Sequence, residues 1–293
     1  MRYNKATSEQ TVIFVHICRT AGTTLYRVID RNFSHASIHT FPVDGTVEDI
    51  KKLGDSDKHK IRVVRGHLGF GLHESLPQPC AYLTLLRDPV ERTVSYYYFI
   101  RRTPDHYCYH LIHDNQMSLE DFIKCRQDIM LDNVQTRFLS GLETGHEVGF
   151  GQCTRDMLET AQRNLREHFA VVGLTEEFDS TLVLLKRTFG WRRLAYVKHN
   201  VTQNRPEGHE ISPTTLDAVA EVNVLDTELY AYAKTLFEEQ VRQQGASFVQ
   251  EVSKFQIANR RLRPFMDLYW QARKVSVRMM FRHWIHPVIA VLH

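Results

Sequence analysis

The chain has 293 residues, 43% of them apolar and 24% charged, which is the composition of an ordinary globular protein with a sizeable core. The net charge of +3 is unevenly divided, because residues 250–293 hold eight Lys and Arg against two acids, whereas residues 1–249 hold 29 bases and 32 acids. Such a body has no global field for nucleic acid, so we expect no nucleic-acid partner and only a locally built anion site.

The N-terminal ten residues, MRYNKATSEQ, are polar and lead directly into an apolar strand. They lack the apolar region of a signal peptide or an anchor, and we therefore expect a cytoplasmic protein. The five cysteines are odd in number and show no C-x-x-C spacing. The odd number and the lack of this spacing argue against both a disulfide framework and a zinc site.

Short apolar runs rich in β-branched residues predict buried strands at residues 11–17, 61–64, 81–86 and 170–174. Helical patterns lie between these runs. Strands that alternate with helices predict an α/β fold, in which a central parallel sheet is covered by helices on both faces.

Two helices have clear sequence patterns. After the first strand, Leu25, Val28, Ile29 and Phe33 recur on one helical face, which we expect to pack on the sheet. The helix after residues 81–86 is predicted to begin at Asp88 with a capping box, with Pro89 at its first position and Glu91 at its third. Later segments are predicted to be mostly helical, at residues 118–140, 154–168, 176–190, 213–243 and 250–283.

The first candidate site is the loop HICRTAGTT at residues 16–24, between the first strand and its helix. Such a loop can direct backbone N–H groups and the positive end of the helix at a phosphate. An ordinary strand–helix turn with Thr caps explains the same residues. The loop lacks both G-x-x-x-x-G-K-[ST] and G-x-G-x-x-G, so it is neither a Walker A loop nor a dinucleotide fingerprint.

The second and third candidates also follow predicted strands. Arg87 ends a strand and Ser95 lies two helical turns later, so that together they can hold one phosphate. An ion-pairing surface role explains Arg87 equally well. His67, one of sixteen histidines, belongs to the motif Arg65-Gly66-His67, which directly follows the run IRVV. Ligands of open parallel sheets bind beyond the carboxyl ends of the strands, and three such ends here supply a loop, an Arg and a His.

With these motifs, the chain resembles the carbohydrate O-sulfotransferases of the heparan 2-O-sulfating type and their bacterial relatives, the bacterial sulfotransferase family 2 type. FVHICRTAGTTL resembles the family segment F-V-H-I-P-K-T-G-G-T-S-L, which wraps the 5′-phosphosulfate of 3′-phosphoadenosine 5′-phosphosulfate (PAPS). RDPVERTVSYYYF resembles its 3′-phosphate segment, and Gly66-His67 its G-H motif. DNVQTRFLSG and VVGLTEEFDSTLVLLKRTFGW resemble later segments, so the likeness covers residues 11–235.

The resemblance implies a P-loop-like three-layer sandwich that moves the sulfuryl group of PAPS to a hydroxyl of a carbohydrate, polysaccharide or glycolipid acceptor, without a metal. It implies that His67 is the general base and that Arg19 is the cation of the loop. The donor-binding residues that it implies are Arg19, Thr20, Ala21, Gly22, Thr23, Thr24, Arg87 and Ser95.

The chain departs from the family pattern at Cys18-Arg19, where the family usually has Pro-Lys. Arg keeps the charge but is a planar, bulkier group than the ammonium of Lys. Retained activity is favoured because His67, Arg87 and Ser95 are all present. The alternatives are a catalytically inactive nucleotide- or glycan-binding module and a P-loop-type kinase, the latter disfavoured by the missing Gly-Lys pair.

The C-terminal part of the chain predicts a separate element. We divide the chain into a sulfotransferase domain over residues 1–249 and a basic, aromatic, amphipathic helical tail over residues 250–293. Such a tail predicts peripheral membrane contact through anionic lipid, or contact with a polyanionic glycan. Docking on the sheet or on a second subunit explains it as well.

The sequence also leaves two interpretations for the residues that follow the RDP motif. They fit either an acceptor cleft or helix packing: Tyr96, Tyr97, Tyr98, Arg101, Arg102 and His106.

Overall fold

The computed structural model describes residues 10–42, 45–197 and 211–262. Five parallel strands form one sheet in the order β2-β3-β1-β4-β5. The strands are β1 Thr11–Val15, β2 Ile38–Thr40, β3 Val63–Gly66, β4 Cys80–Leu86 and β5 Phe169–Leu174. Every residue of β1 is buried, as expected for a central strand with both faces covered.

Helices fill the connections between the strands and follow β5. They are α1 Gly22–Asn32, α2 Val47–Lys51, α3 Asp55–Lys60, α4 Pro89–Ile100, α5 Tyr109–Asp114, α6 Leu119–Lys124, α7 Val134–Ser140, α8 Arg155–His168, α9 Phe178–Phe189, α10 Pro213–Val222 and α11 Val224–Gln243. Residues 247–262 are also helical. The predicted three-layer α/β sandwich is confirmed.

The register brings the ends of three strands together. Val15 at the end of β1 lies opposite Gly66 of β3 on one side and Thr84 of β4 on the other. From β1 the chain turns toward β3 and β2, whereas from β4 it turns the other way, toward β5. The crevice between the ends of β1 and β4 is therefore a topological switch point, where ligands of open α/β sheets bind.

Three sequence predictions about the elements were wrong in detail. The three-residue edge strand β2 was missed because it is too short to show a pattern. The segment 118–140 is not one helix, since Asn133 has a left-handed φ of 46° and separates α7 from the residues before it. The segment 213–243 breaks at Asn223, whose side chain donates to the Val219 carbonyl at 3.0 Å.

The predicted start of α4 is confirmed, although the capping box is only half formed. The Asp88 carboxylate accepts a hydrogen bond from the Glu91 N–H at 3.0 Å. The Glu91 carboxylate does not return to Asp88 but pairs with Arg87 at 3.2 Å. The Asp88 N–H donates instead to Glu176, which follows β5. The acid expected to complete the cap therefore belongs to the surroundings of Arg87.

The helix over residues 247–262 packs on the domain where the predicted tail begins. Phe248 is buried, and Glu251 forms ion pairs with Lys186 and Arg187 of α9. Asn259 accepts a hydrogen bond from the backbone N–H of Tyr196 at 2.8 Å. The rest of the predicted tail, residues 263–293, lies outside the described residues, and both the boundary at residue 249 and the membrane contact stay predictions. Among the helices that the structure describes, none has the length and apolar character needed to cross a bilayer.

Candidate active site

The loop after β1 is shaped by two residues with left-handed backbone angles. Arg19 has a φ of 68° and Ala21 a φ of 65°, in a region that costs a non-glycine residue about 1–3 kcal/mol. The Thr20 hydroxyl donates to the Ile17 carbonyl at 2.8 Å and holds the turn. As a result α1 begins at Gly22, and the N–H groups of its first turn face the switch point, where an anion is favoured.

Gly22 is required by close packing inside the loop. A Cβ atom at this position would lie 1.9 Å from Nε2 of His16. We expect Gly22→Ala to lower the free energy of unfolding by roughly 1–3 kcal/mol, the usual cost of overpacking. The same change would displace the loop and weaken nucleotide binding. Thermal unfolding and nucleotide titration check both effects, and a Gly54→Ala variant, at a glycine with open space around its Cβ position, is the control.

Arg19 crosses the crevice from the loop to α4. Its Nε and Nη2 atoms donate to the Ser95 hydroxyl at 3.1 and 3.0 Å, and its guanidinium lies 4.8 Å from the centre of the Phe99 ring. Burial, with smaller contributions from Arg102, Arg87 and Arg92, lowers the pKa of Arg19 to about 10. The group remains a cation at neutral pH, in surroundings that favour a bound anion.

Arg87 reaches the same loop from the end of β4. Its Nη1 donates to the Arg19 carbonyl at 3.2 Å, while Nη2 pairs with Glu91. The buried Arg92 lies behind the loop, where Nη2 donates to the Met130 carbonyl at 2.8 Å and Nη1 to the sulfur of Cys18 at 3.7 Å. Burial raises the pKa of Cys18, which supports a packing role for this thiol. Three arginines, one from the loop and two from the segment that spans the end of β4 and the start of α4, thus surround the loop, and Arg19 among them bonds Ser95.

Gln135 fixes the backbone of Arg87, a role that the sequence did not indicate. Its carboxamide accepts from the Arg87 N–H at 3.0 Å and donates to the Arg87 carbonyl at 2.9 Å, as a neighbouring strand would. Gln135 is held in turn by the buried Asp226 of α11, whose carboxylate accepts from the N–H groups of Gln135 and Thr136 at 3.0 and 2.7 Å. The start of α7 is therefore capped from another helix.

We expect Gln135→Met to raise the Kd for 3′-phosphoadenosine 5′-phosphate (PAP) roughly tenfold, since the change leaves two backbone groups of Arg87 without these partners. The volume is nearly conserved, so the domain should stay folded. Calorimetric titration measures the affinity. Gln152→Met, on an exposed residue, is the control. Affinity equal to that of the wild type would show that Arg87 needs no such brace.

His67 follows β3 and is oriented by the loop. Its Nδ1 lies 2.8 Å from the His16 carbonyl, which can only accept, so Nδ1 carries the proton and Nε2 of the neutral ring has a free lone pair. The His16 ring stacks on it at a centroid distance of 4.3 Å. Burial lowers the pKa of His67, so the ring is a neutral base at pH 7.

His16 is a second residue that the sequence did not assign. It is buried, and its Nδ1 lies 3.1 Å from the hydroxyl of Tyr26, whose ring carries the Arg65 guanidinium at 4.4 Å. Burial, with the nearby charges of His67, Arg19 and Arg65, lowers the pKa of His16 well below its usual value. The neutral His16 ring therefore packs against the His67 ring. In the sequence, the only indication of this role was the position of His16 in the loop.

The structure brings most predicted site residues to one crevice. Arg19, Ser95 and Arg87 are joined by hydrogen bonds, and His67 bonds the carbonyl of His16, whose ring is close enough to Arg19 for that charge to lower its pKa. Thr23 is exposed at the first turn of α1, whereas Thr20 and Thr24 are buried. In residues 10–42, 45–197 and 211–262, there is no group of three or more His, Cys, Asp or Glu that could hold a metal ion.

Two of the three tyrosines considered for the acceptor cleft are packed in the interior. The Tyr96 hydroxyl donates to Asp128 at 2.8 Å, and that of Tyr97 to the Met117 carbonyl at 2.7 Å. Both side chains belong to the hydrophobic cluster that joins α4 to α6 and α10. Their burial agrees with the helix-packing interpretation for these two residues. The residues that follow α4 are therefore the better candidates for contacts with the acceptor.

Comparison with known proteins identifies relatives for most of the chain. Residues 3–267 match the family model described as galactose-3-O-sulfotransferase. Human heparan-sulfate 6-O-sulfotransferase 1 is 32% identical over 187 residues, which are 56% of this chain and 44% of that protein. Heparan-sulfate 6-O-sulfotransferase 2 of Danio rerio is 33% identical over 184 residues, 53% of this chain and 38% of that protein. The match thus spans less than half the length of these relatives.

A structural likeness is weaker. The crystal structure of a mouse sulfotransferase complexed with PAP covers 77% of this chain and 90% of its own, with 15% sequence identity and a TM-score of 0.38, which is too low to support an inference. The resemblance to carbohydrate sulfotransferases is confirmed by the family match. The two relatives named above are 6-O enzymes, and the narrower likeness to the 2-O-sulfating type stays a prediction.

Proposed function

Because the chain belongs to the galactose-3-O-sulfotransferase family, we propose that it transfers the sulfuryl group of PAPS to a hydroxyl of a carbohydrate or glycolipid acceptor. The observation that carries this proposal is the convergence of Arg19, Arg87 and Ser95 at the switch point of the sheet. These two cations and the Ser95 hydroxyl, together with the start of α1, fit a nucleotide that carries a phosphate at both the 3′ and the 5′ position of its ribose.

In the proposed donor complex the 5′-phosphosulfate lies on the loop and the first turn of α1, on residues Thr20, Ala21, Gly22, Thr23 and Thr24. The 3′-phosphate is held by Arg87 and Ser95. The Ser95 hydroxyl accepts from Arg19 in the structure, so its own proton can be donated to a phosphate oxygen. The Arg19 guanidinium, which lies between the loop and Ser95, is proposed to contact the donor as well.

The proposed reaction is an in-line displacement at sulfur. The acceptor hydroxyl forms a new S–O bond as the bond from sulfur to the 5′-phosphate oxygen breaks, and Nε2 of His67 takes the hydroxyl proton. The departing PAP gains negative charge on that oxygen. Arg19 and the N–H groups at the start of α1 stabilise this charge where water is excluded. The residues described supply both the base and the cations for this step.

The test is incubation with sulfur-labelled PAPS and a panel of glycans and glycolipids. Label in a product supports the enzyme. Binding of PAP with no transfer to any acceptor supports the alternative of an inactive nucleotide- or glycan-binding module. The reason to consider this alternative is that Arg19 stands where the resemblance implies Lys. Magnesium-dependent use of ATP instead of PAPS would support the kinase alternative and contradict the proposal.

A further inference from the structure

Tyr107 is placed in an unusual way for a tyrosine. Its side chain is 66% exposed, yet its hydroxyl donates at 2.9 Å to Asp128, which is itself only 2% exposed. Partly buried tyrosines commonly bury the ring and leave the polar tip in water. Burial of the tip raises the pKa of the Tyr107 phenol, whereas the ring lies in solvent. An exposed aromatic surface held by a buried polar anchor has no evident role in packing.

The ring is held rigidly. Asp128 also accepts from the hydroxyl of Tyr96 in α4 at 2.8 Å and from the N–H of Met130 at 2.9 Å, so two further hydrogen bonds fix the anchor. The Tyr96 and Tyr107 hydroxyls lie 3.1 Å apart. His106 stacks on the Tyr107 ring with centroids 4.4 Å apart and an angle of 26°. A ring ordered beforehand loses little conformational entropy when it binds a ligand.

An unbroken series of contacts connects Tyr107 with the candidate active site. His106 meets Phe99 edge-on at a centroid distance of 5.8 Å, and the Arg19 guanidinium lies on the Phe99 ring. Arg102, at the end of α4, is close enough for its charge to lower the pKa of Arg19. The exposed ring is therefore connected through His106 and Phe99 to Arg19, at the rim of the crevice.

We propose that Tyr107 forms an acceptor subsite on which one pyranose ring of an acidic glycan stacks, with Arg102 attracting the acidic substituents of the chain. The C–H groups on one face of a pyranose match the negative face of an aromatic ring. Guanidinium groups pair well with carboxylate and sulfate oxygens. This subsite rests on the proposed function, because it assigns the class of acceptor to the same crevice.

The test compares Tyr107→Ala and Tyr107→Phe with the wild type by calorimetry, using a heparin-derived hexasaccharide, a neutral N-acetyllactosamine hexasaccharide and PAP as probes. We expect the alanine variant to bind the heparin hexasaccharide roughly tenfold more weakly, the weight of one aromatic stacking contact. The phenylalanine variant keeps the ring and loses only its anchor, so its loss should be smaller. PAP affinity should not change, and the neutral sugar should bind less tightly than the acidic one.

Equal affinity of the wild type and Tyr107→Ala for the heparin hexasaccharide, or no binding by the wild type, would overturn the subsite. A loss of PAP affinity equal to the loss of sugar affinity would also overturn it, since the ring would then serve the donor. Tyr232→Ala on α11 is the control variant. Sugar binding that depends on Tyr107 without any transfer from PAPS would leave the subsite intact and contradict the proposed activity.

Discussion

Replacing His67 with alanine is expected to lower kcat by roughly 100- to 10,000-fold, the usual contribution of a positioned general base. PAP affinity should be retained, because the phosphates are assigned to the loop, Arg87 and Ser95. Steady-state rates with labelled PAPS measure the first effect and calorimetry the second. His59→Ala, which removes an exposed histidine of α3, is the control.

The proposed role of His67 also predicts the pH dependence of the wild type. Burial lowers the pKa of His67 below its usual value of 6.5, and the base works only when its ring is neutral. The neutral fraction rises as pH increases through the pKa, so the acid limb of kcat/KM should have its midpoint below pH 6.5. A midpoint above 6.5, or unchanged turnover in His67→Ala, would contradict the assignment of His67.

Replacing Arg19 with alanine is the second change with a large expected effect. The Arg19 guanidinium is the cation of the loop, and it donates hydrogen bonds to the Ser95 hydroxyl on the far side of the crevice. Loss of one preorganised donor to a developing charge costs roughly 100- to 1,000-fold in kcat. PAP should also bind more weakly, because Arg19 is a cation of the proposed donor site and bonds Ser95, which is assigned to the 3′-phosphate. Rates and titrations on the same preparation measure both quantities.

Arg19→Lys separates the charge of the residue from its shape. Lys is the residue that the resemblance to the 2-O-sulfating type implies at this position, and it keeps the cation, so we expect activity within about tenfold of the wild type, well above that of Arg19→Ala. Arg163→Ala, on the exposed face of α8, is the control for general loss of positive charge. Full activity in Arg19→Ala would show that this residue has no part in the reaction.

The parts of the site that lie next to a strand or a helix cap were predictable from sequence. Asp88, Pro89 and Glu91 mark the start of α4, and that start places Arg87 and Ser95 relative to β4. The same local reasoning placed His67 at the end of β3. The carboxyl ends of parallel strands lie at one edge of a sheet. The pattern of three strands was therefore sufficient to predict that the loop, Arg87 and His67 lie at the same edge.

Contacts between distant parts of the chain were not predictable in this way. Gln135 is 48 positions from the Arg87 backbone that it braces, and Asp226 is 91 positions from the N–H of Gln135. No local pattern distinguishes such a glutamine from an ordinary helical one. The Tyr107 ring is similar, since its exposure and its buried anchor on Asp128 depend on how the chain after α4 folds back.

The exchange of Lys for Arg at residue 19 changes how the crevice is closed. The planar guanidinium bonds Ser95 through two nitrogen atoms while it stacks on Phe99, a combination suited to a flat, delocalised cation. The left-handed backbone angle of Arg19 directs the side chain across the crevice. Arg19 is thus held in the crevice by two hydrogen bonds and one stacking contact.

The most direct measurement is transfer of labelled sulfuryl from PAPS to a glycan by the wild-type chain, with His67→Ala and Arg19→Ala assayed in parallel. We predict that label appears in the glycan with the wild type and falls by at least roughly 100-fold with each variant. Tight binding of PAP by a wild-type chain that transfers no label to any acceptor would contradict the account, as would transfer that neither substitution reduces.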